Sequence, residues 1–349
     1  MELLHHYPAL NRPAEPVCSV CIANYNGTNL LTDCLESVLA QQGDIRVEII
    51  VHDDASTDNS VALLREKYPQ VELLAGTQNV GFCISNNRMV AHARGEYILL
   101  LNNDAALAPD ALQTLFREAR QQHPQGILTL PQYDWESGTL VDRGCLLDPF
   151  YNPVPNTEPK RRDVAMVIGA CLWIPRKLWN ELGGFPEWFE SVAEDLYLCC
   201  RARLAGHPVQ VTQTSHYRHR QGLSFGGNRA GKTGLATTYR RRRLSERNKT
   251  FVLVICTPAF LLWLLLPLHL LMLTLEGISI SLLRRDARLW REVYACGWAT
   301  LWTQRNRLRV QRHHTQASGQ RSTRHFLRGF ILAPRKLVLL WRYGLPHVR

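Results

Sequence analysis

Three short apolar runs, each stopped by a cluster of aspartates and asparagines, constrain this chain more than any other feature. Cys18-Ser-Val-Cys-Ile-Ala23 ends at Asn24-Tyr25-Asn26-Gly27, and Val47-Glu-Ile-Ile-Val51 ends at His52-Asp53-Asp54. Tyr97-Ile-Leu-Leu-Leu101 ends at Asn102-Asn103-Asp104. Runs of this length and character read as buried strands. Leu30, Leu31, Cys34, Leu35, Val38 and Leu39 recur at helical spacing after the first run. Val61, Leu63 and Leu64 follow the second, with Ser56, Thr57 or Asp58 available as a helix cap. Strand, helix, strand, helix, strand is the pattern of a mostly parallel sheet. The strand ends then converge on one edge, where open α/β sheets bind ligands.

An acidic group at that edge suits a hard divalent cation, because Mg²⁺ sites combine one or two carboxylates with substrate phosphates. A lone strand-Asn-Asn-Asp is more often an Asx-stabilised turn. The second acidic cluster, at Asp53-Asp54, tips the reading toward Asp104 as a site residue. A Rossmann dehydrogenase would need Gly-x-Gly-x-x-Gly after the first strand, where this chain has Asn24-Tyr-Asn-Gly27.

The ordered set of motifs resembles glycosyltransferase family 2, over residues 17–250. Its members here are Ser19-Val-Cys-Ile-Ala-Asn-Tyr-Asn26, His52-Asp-Asp-Ala-Ser-Thr-Asp58, Asn79-Val-Gly-Phe82 with Asn86-Asn87, and Leu101-Asn-Asn-Asp104. Gly169-Ala-Cys-Leu-Trp-Ile-Pro-Arg176, Gly183-Gly-Phe-Pro-Glu-Trp-Phe189 and Glu194-Asp195-Leu-Tyr-Leu-Cys-Cys-Arg201 continue the series. Within the family it is most similar to bacterial rhamnosyltransferase-type enzymes that extend lipid-linked or surface polysaccharides. The resemblance implies an α/β GT-A nucleotide-sugar-binding fold with a Rossmann-like, mostly parallel sheet, and an inverting transfer without a protein nucleophile.

It also implies roles. Asp104 takes the place of the last Asp of the family's DxD motif and is the candidate ligand for Mg²⁺ or Mn²⁺, although Asn102 stands where many members have the first Asp. His219, opening His219-Arg-Gln-Gly-Leu-Ser224, is a candidate third ligand or diphosphate contact. Asp195 takes the general-base role, Glu194 orients the site, and Arg201 completes the catalytic segment on the donor side. Adjacent residues on a helix do not share a direction, so Glu194 and Asp195 are not expected to act as a pair. Asp53 and Asp54 match positions that hold the donor base and ribose, Tyr25 and Asn26 flank the base, and Asn79 and Gly81 shape the pocket. Asn102 and Asn103 complete the donor set, while Asp58 is read as a helix cap. The expected donor is dTDP-rhamnose or a UDP-hexose, since thymine and uracil present the same N3–H edge. Gln304-Arg-Asn-Arg307-Leu308 lacks the Trp of the processive synthases' Gln-x-x-Arg-Trp motif, so one sugar per encounter is expected.

The net charge of +11 sits where it favours an anionic membrane over nucleic acid. Phe251 to Leu275 contains no Lys, Arg, Asp or Glu, which is long enough to cross a hydrocarbon core. Pro258 and Pro267 predict a kinked, re-entrant or interfacial course. From Arg284 onward fifteen Lys and Arg face two acidic residues, Asp286 and Glu292. The N-terminal Met1-Glu-Leu-Leu-His-His lacks the pattern of a signal peptide. The expected location is therefore the bacterial inner membrane, with the catalytic domain on its cytoplasmic face. Cys18 and Cys21 have C-x-x-C spacing, but residues three apart on a strand face opposite sides, so buried free thiols are expected.

The expected organisation is a lead-in (1–16), a transferase domain (17–250), an apolar transmembrane or re-entrant segment (251–283) and a basic amphipathic region (284–349). Within the domain, helices are expected over 109–122 and 194–204, and strands over 126–130 and 164–173. Residues 132–160 are expected to be irregular. The implied partners are a nucleotide-sugar donor, a lipid-linked glycan acceptor, an anionic membrane surface and, through the C-terminal helices, a second copy.

Overall fold

The computed structural model describes residues 4–221, 227–231, 234–317, 323–344 and 347–348. Its first half runs β1 (Leu4–Tyr7), β2 (Cys18–Asn24), α1 (Thr28–Leu39), β3 (Val47–Asp53), α2 (Ser60–Lys67), β4 (Glu72–Gly76), α3 (Phe82–His92), β5 (Tyr97–Asn102), β6 (Ala105–Leu107) and α4 (Ala111–Gln121). Strands β4, β3, β2 and β5 lie side by side in parallel, and β1 closes one edge antiparallel to β4. On the other side the same sheet continues through β12 (Cys171–Pro175), β7 (Ile127–Thr129) and β13 (Val209–Val211), with β12 antiparallel to both β5 and β7.

Both faces of this sheet are covered, which is why its strands are apolar throughout. Alternate side chains enter two separate cores. Val20, Ile22, Leu99 and Leu101 pack with Leu31 and Leu35 of α1 and Leu112 and Leu115 of α4. Cys21, Ile50, Ile98 and Leu100 pack on the opposite face with Met89 of α3. Cys18 and Cys21 fall in different cores, and the cysteines among the described residues are free.

The stretch from residue 132 to 160 is more ordered than its composition suggests. It forms β8 (Gln132–Asp134), β9 (Leu140–Asp142), β10 (Cys145–Leu147) and β11 (Pro153–Pro155). A second sheet joins β6, β14 (Tyr217–His219), β8 and β9. The apolar run after Val164 becomes regular strand only at Cys171, because Ala165 and Met166 bond instead to the Cys145 carbonyl. Then come α5 (Arg176–Leu182) and α6 (Glu194–Leu204), close to the sequence reading.

After β15 (Gly227–Gly231) and β16 (Gly234–Thr237) the chain enters α7 (Tyr239–Cys256), then α8 (Ala259–Leu283). This corrects one boundary. Phe251, Val252, Leu253, Ile255 and Cys256 are buried in the core shared with α6, so the start of the apolar run belongs to the transferase domain. The run breaks at Pro258, which caps α8, whereas α8 continues through Pro267. A π-helix (Leu289–Tyr294), α9 (Ala295–Thr303), α10 (Arg305–Ala317), α11 (Thr323–Leu327) and α12 (Arg335–Tyr343) follow.

The basic C-terminal region is tied into the domain rather than appended to it. Arg312 Nη1 donates to the carbonyls of Val254 (2.6 Å) and Thr257 (2.7 Å), closing the carbonyl end of α7. Arg203, almost fully buried on α6, donates to the carbonyls of His325 (3.0 Å) and Phe326 (3.4 Å). Backbone bonds from Leu147 N to Gly329 O and from Ile331 N to Leu147 O then stitch the segment onto β10.

Candidate active site

The C-terminal ends of β2, β3 and β5 are laced together by short polar side chains. Asn103 Nδ2 donates to Asn24 Oδ1 (2.8 Å), and Asn24 Nδ2 donates to Asp53 Oδ2 (2.8 Å). Asp53 also accepts from the Ser56 amide (2.9 Å) and hydroxyl (2.7 Å). Its carboxylate is thus buried and occupied, outside the lining of the adjacent cavity. The expectation of a direct donor contact is corrected for Asp53: it shapes the loop that presents Asp54. Gly27 is required here, since a Cβ would stand 2.2 Å from Asn24 Oδ1.

Asp54 does line the cavity, together with Tyr25, Asn79, Gly81, Asn102 and Asn103. Its two oxygens accept from Val80 N (2.7 Å) and Gly81 N (2.8 Å). Burial raises its pKa, and those amide donors partly offset the rise. Gly81 sits at φ 88°, a conformation that glycine adopts without strain. Tyr25 is half exposed at the rim. Asn26 does not line the cavity and instead accepts from Thr57 N (2.8 Å), holding two loops together. Asp58 accepts from Thr28 N and Ser60 N, both at 3.0 Å, and so pins the starts of α1 and α2. Burial is the largest single influence and pushes its pKa up, but its hydrogen bonds to Ser60 and Thr28 together outweigh it and hold the value down at about 2.

Asp104 and His219 lie together; His219 lines the cavity, whereas Asp104 is buried and is not among its lining residues. His219 arrives on β14, paired antiparallel to β6, and its Nε2 lies 3.0 Å from Asp104 Oδ1. Both groups are buried, and His219 Nδ1 has no hydrogen-bond partner. A carboxylate and an imidazole this close, with one ring nitrogen unsatisfied and Asn102 and Asn103 alongside, form a donor set that fits a divalent cation completed by phosphate oxygens. Asp142 adds a second acidic group nearby: burial pushes its pKa up to about 6, against the Gly144 amide and the His219 charge. Among the described residues, the compact cluster of three His, Cys, Asp or Glu is elsewhere. It comprises His6, Glu72 and His92. It lies at the opposite end of the strands, where Arg12 already pairs with Glu72 (2.9 Å). Gly222 and Ser224 of the His219 motif lie outside the described residues.

The acidic pair enters the same cavity at the start of α6. Glu190, Val192 and Ala193 adopt left-handed φ values of 65°, 70° and 68° just before α6. For a β-branched valine this is strained backbone, of the kind found at functional sites. Asn248, fully buried on α7, holds the loop: its Nδ2 donates to the carbonyls of Phe189 (3.0 Å), Ser191 (3.0 Å) and Val192 (2.8 Å). Nothing in the basic run around Asn248 marks it in the sequence.

This turn presents both Glu194 and Asp195 to the cavity, contrary to the helical-spacing argument, which holds only inside a regular helix. Asp195 Oδ1 accepts from Leu196 N (2.7 Å), and Oδ2 accepts from Gly169 N (3.1 Å). Burial raises the Asp195 pKa despite these donors and Arg241. Burial, then the Asp195 charge, raise Glu194 further, and Glu194 Oε2 has no partner. Two carboxylates held above their ordinary range, in the cavity that His219 also lines, are poised for proton transfer. Arg201 is not among the lining residues. It stands two turns along α6 and donates to the Leu182 carbonyl, fastening α5, which corrects its expected place beside the donor.

Comparison with known proteins agrees with this geometry. Residues 19–183 match the family model for glycosyl transferase family 2. Chondroitin synthase of Escherichia coli is 29% identical over 188 residues, covering 52% of this chain and 26% of that protein. The N-acetylglucosaminyl-diphospho-decaprenol L-rhamnosyltransferase of Mycobacterium tuberculosis is 25% identical over 210 residues, covering 52% of this chain and 68% of that one. The chain spans a third or less of the first curated relatives it matches. Among solved structures, a mannosyltransferase from Pyrobaculum calidifontis, in complex with GDP-Man and Mn²⁺, superposes with TM-score 0.52 at 18% identity over 87% of this chain and 86% of that one. The β2–β5 sheet with its Asn- and Asp-ended strands thus lies within the segment, residues 19–183, that matches glycosyl transferase family 2, and it has the GT-A fold.

Proposed function

We propose that the chain is an inverting, metal-dependent transferase that moves one sugar per encounter from dTDP-rhamnose or a UDP-hexose to a lipid-linked or surface glycan. The observation that carries the reading is Asp195, facing the same cavity as Asp54 and His219 with a carboxylate fixed by two backbone amides. The acceptor hydroxyl attacks the anomeric carbon, and the bond from that carbon to the diphosphate oxygen breaks. Asp195 takes the hydroxyl proton while the nucleoside diphosphate leaves with the bonding pair. One displacement inverts the centre, and a positioned base contributes about 10²–10⁴-fold. Glu194 orients the acceptor. Asp104 and His219 would hold Mg²⁺ or Mn²⁺, which neutralises charge on the departing diphosphate. Asp54, Asn79 and the Gly81 backbone receive the nucleoside, and Tyr25 covers the base.

The relative that acts on a decaprenol-linked sugar supports the rhamnosyl and lipid-linked readings. Exposed apolar surface supports attachment to a membrane. Helix α8 is 25 residues long, with a window of mean hydropathy 1.9 and only 11% of that window buried. At 1.5 Å per residue its length, about 37 Å, exceeds the ~30 Å of a hydrocarbon core. Trp298 and Trp302 of α9 and Leu337 and Trp341 of α12 extend the exposed apolar surface, among basic residues suited to anionic headgroups. The corresponding location is the cytoplasmic face of a bacterial inner membrane.

The test is a panel of dTDP-, UDP- and GDP-sugars with Mn²⁺, Mg²⁺ or EDTA, on detergent-solubilised protein and its Asp195→Asn variant. Metal-dependent binding of one donor, with turnover lost in Asp195→Asn, is the expected result. Binding without any turnover in the unaltered protein would replace the enzyme with a nucleotide-sugar-binding scaffold.

A further inference from the structure

The cavity does not end at the acidic pair. It is a single space of about 1900 Å³ that runs from the strand ends past Glu194 and Asp195 into a second lobe between α8 and α12. The face of α7 forms the floor of the passage: Arg241, Arg242, Ser245, Glu246 and Lys249 line it in succession. Arg241 stands close enough to the acidic pair to lower both carboxyl pKa values. Lys249 is eight residues further along the helix, a rise of about 12 Å.

At that far end the wall turns basic and then apolar. Lys336 Nζ reaches Glu246 (2.9 Å) and Glu276 (2.5 Å), Lys249 Nζ reaches Glu246 (3.2 Å) and Asn152 Oδ1 (2.6 Å), and Arg242 reaches Glu276 (2.6 Å). Three cations therefore share two carboxylates in a partly buried setting. Arg335 and Asp148 also face the lobe and balance one another in charge, so the excess stays positive. Beyond this cluster the lobe is lined by Met272, Leu275 and Leu283 of α8 and by Leu337 and Leu340 of α12, all exposed.

We propose that the second lobe is an acceptor subsite for a long-chain lipid phosphate or diphosphate carrying a sugar. The proposal rests on the transferase reading of the same cavity. Arg242, Lys249 and Lys336 take the phosphate, because a partly desolvated surplus of ammonium and guanidinium groups is completed by an anion. The apolar sides of α8 and α12 take the first part of the hydrocarbon chain, which enters from the exposed apolar surface those helices already present. The ~12 Å of α7 between Arg241 and Lys249 leaves room for sugar between the phosphate and the reacting hydroxyl. A soluble glycan would use the cationic end but leave the Leu337 and Leu340 wall uncovered.

The test uses full-length protein in non-ionic detergent, with geranylgeranyl diphosphate, geranylgeraniol and inorganic diphosphate as probes, and dTDP and UDP binding read in the same samples. The expected result is that geranylgeranyl diphosphate binds at least tenfold more tightly than either fragment. Lys336→Gln and Leu340→Asp should each weaken it about tenfold. Lys336→Gln leaves Glu246 short of a partner and risks misfolding. Leu340, being half exposed, does not, and the Leu340→Asp result alone decides the chain contact. Equal binding of the alcohol and the diphosphate, or indifference to Leu340→Asp, overturns the subsite and leaves a generic lipid contact. Equal binding of inorganic diphosphate overturns it in favour of a soluble phosphate. Lipid diphosphate binding without any nucleotide binding upholds the subsite and sinks the transferase reading instead.

Discussion

Replacing Asn248 tests whether the strained turn before α6 sets catalysis. Three left-handed residues in the loop store about 1–3 kcal/mol each, and they persist only while something holds them. Asn248 Nδ2 supplies hydrogen bonds to three carbonyls of that loop at 2.8–3.0 Å. Each buried carbonyl left unpaired costs about 1–3 kcal/mol. Arg247 Nη2 also donates to Phe189 O (3.0 Å), so two carbonyls, those of Ser191 and Val192, lose their described side-chain donor. Asn248→Ala should therefore destabilise the loop by about 2–6 kcal/mol, enough to release the turn and disperse Glu194 and Asp195. The expected outcome is a fall in kcat of about 30-fold or more, since 1.36 kcal/mol is tenfold in rate. Donor-nucleotide affinity should fall less than kcat, because among the described residues the loop meets the proposed nucleotide pocket only through the Glu190 carbonyl, which accepts from Cys83 N (3.3 Å). Asn248→Asp is the sharper variant: it keeps the volume and turns a donor into an acceptor facing carbonyls, so it should be at least as damaging. Steady-state kinetics, with nucleotide titration and circular dichroism on the same preparations, reads all of this. Full activity in a folded Asn248→Asp protein would refute the argument, because it would show that Asn248 only fills space.

Asp195→Asn should lose about 10²–10⁴-fold in turnover while still binding donor. In the unaltered protein kcat/KM should fall as pH drops through a value above the ordinary aspartate range, because burial raises the Asp195 pKa and only the ionised form is a base; a limb near pH 4 in a pH–rate profile would contradict this. Glu194 is raised in the folded state, so folding binds a proton that the unfolded chain releases, and stability is lost as pH rises above about 4.5. Glu194→Gln should accordingly melt higher than the unaltered protein at pH 8 and equally at pH 4, and a difference that grows toward acid would reverse the sign. Asp104→Ala and His219→Ala should each weaken Mn²⁺-dependent nucleotide binding by at least ~10-fold and leave binding in EDTA unchanged, as calorimetric titration would show.

The donor half was legible because its information is local. Each of Asn24, Asp53 and Asn102 is the last residue of a largely apolar strand, and the parallel order brings such ends together whatever the loops do. What the local pattern could not give was direction. Asp53 and Asp54 are adjacent and chemically equal, yet one turns inward to Ser56 and the other toward the cavity. Helical spacing also misled, at Glu194 and Asp195, because the preceding left-handed residues rather than the helix decide where they point. Asn248 was invisible for a different reason. Its partners lie more than fifty residues away, and its neighbours Arg247 and Lys249 read as a charged surface.

The basic C-terminal region changes meaning when its partners are known. As sequence, fifteen cations from Arg284 onward read as a membrane adhesive. In the fold, several of the chain's cations have internal tasks: Arg203 grips residues 325–326, Arg312 closes the end of α7, and Lys336 joins the acidic residues of α7 and α8. The segment from residue 325 to 340 is tied by Leu147 and Asp148 to β10 and the loop after it, and its last part, residues 334–340, is a wall of the cavity. The family match covers the donor half and stops at residue 183, before the acidic pair, Asn248 and this wall. The proposed nucleotide contacts Tyr25, Asp54, Asn79 and Gly81 sit in the matched half, whereas His219 lies beyond it. In the proposed acceptor lobe Arg242, Lys249 and Lys336 all come from beyond residue 183, so removal of α12 should abolish acceptor use while nucleotide binding survives. Loss of both together would show that the wall supports the donor half as well.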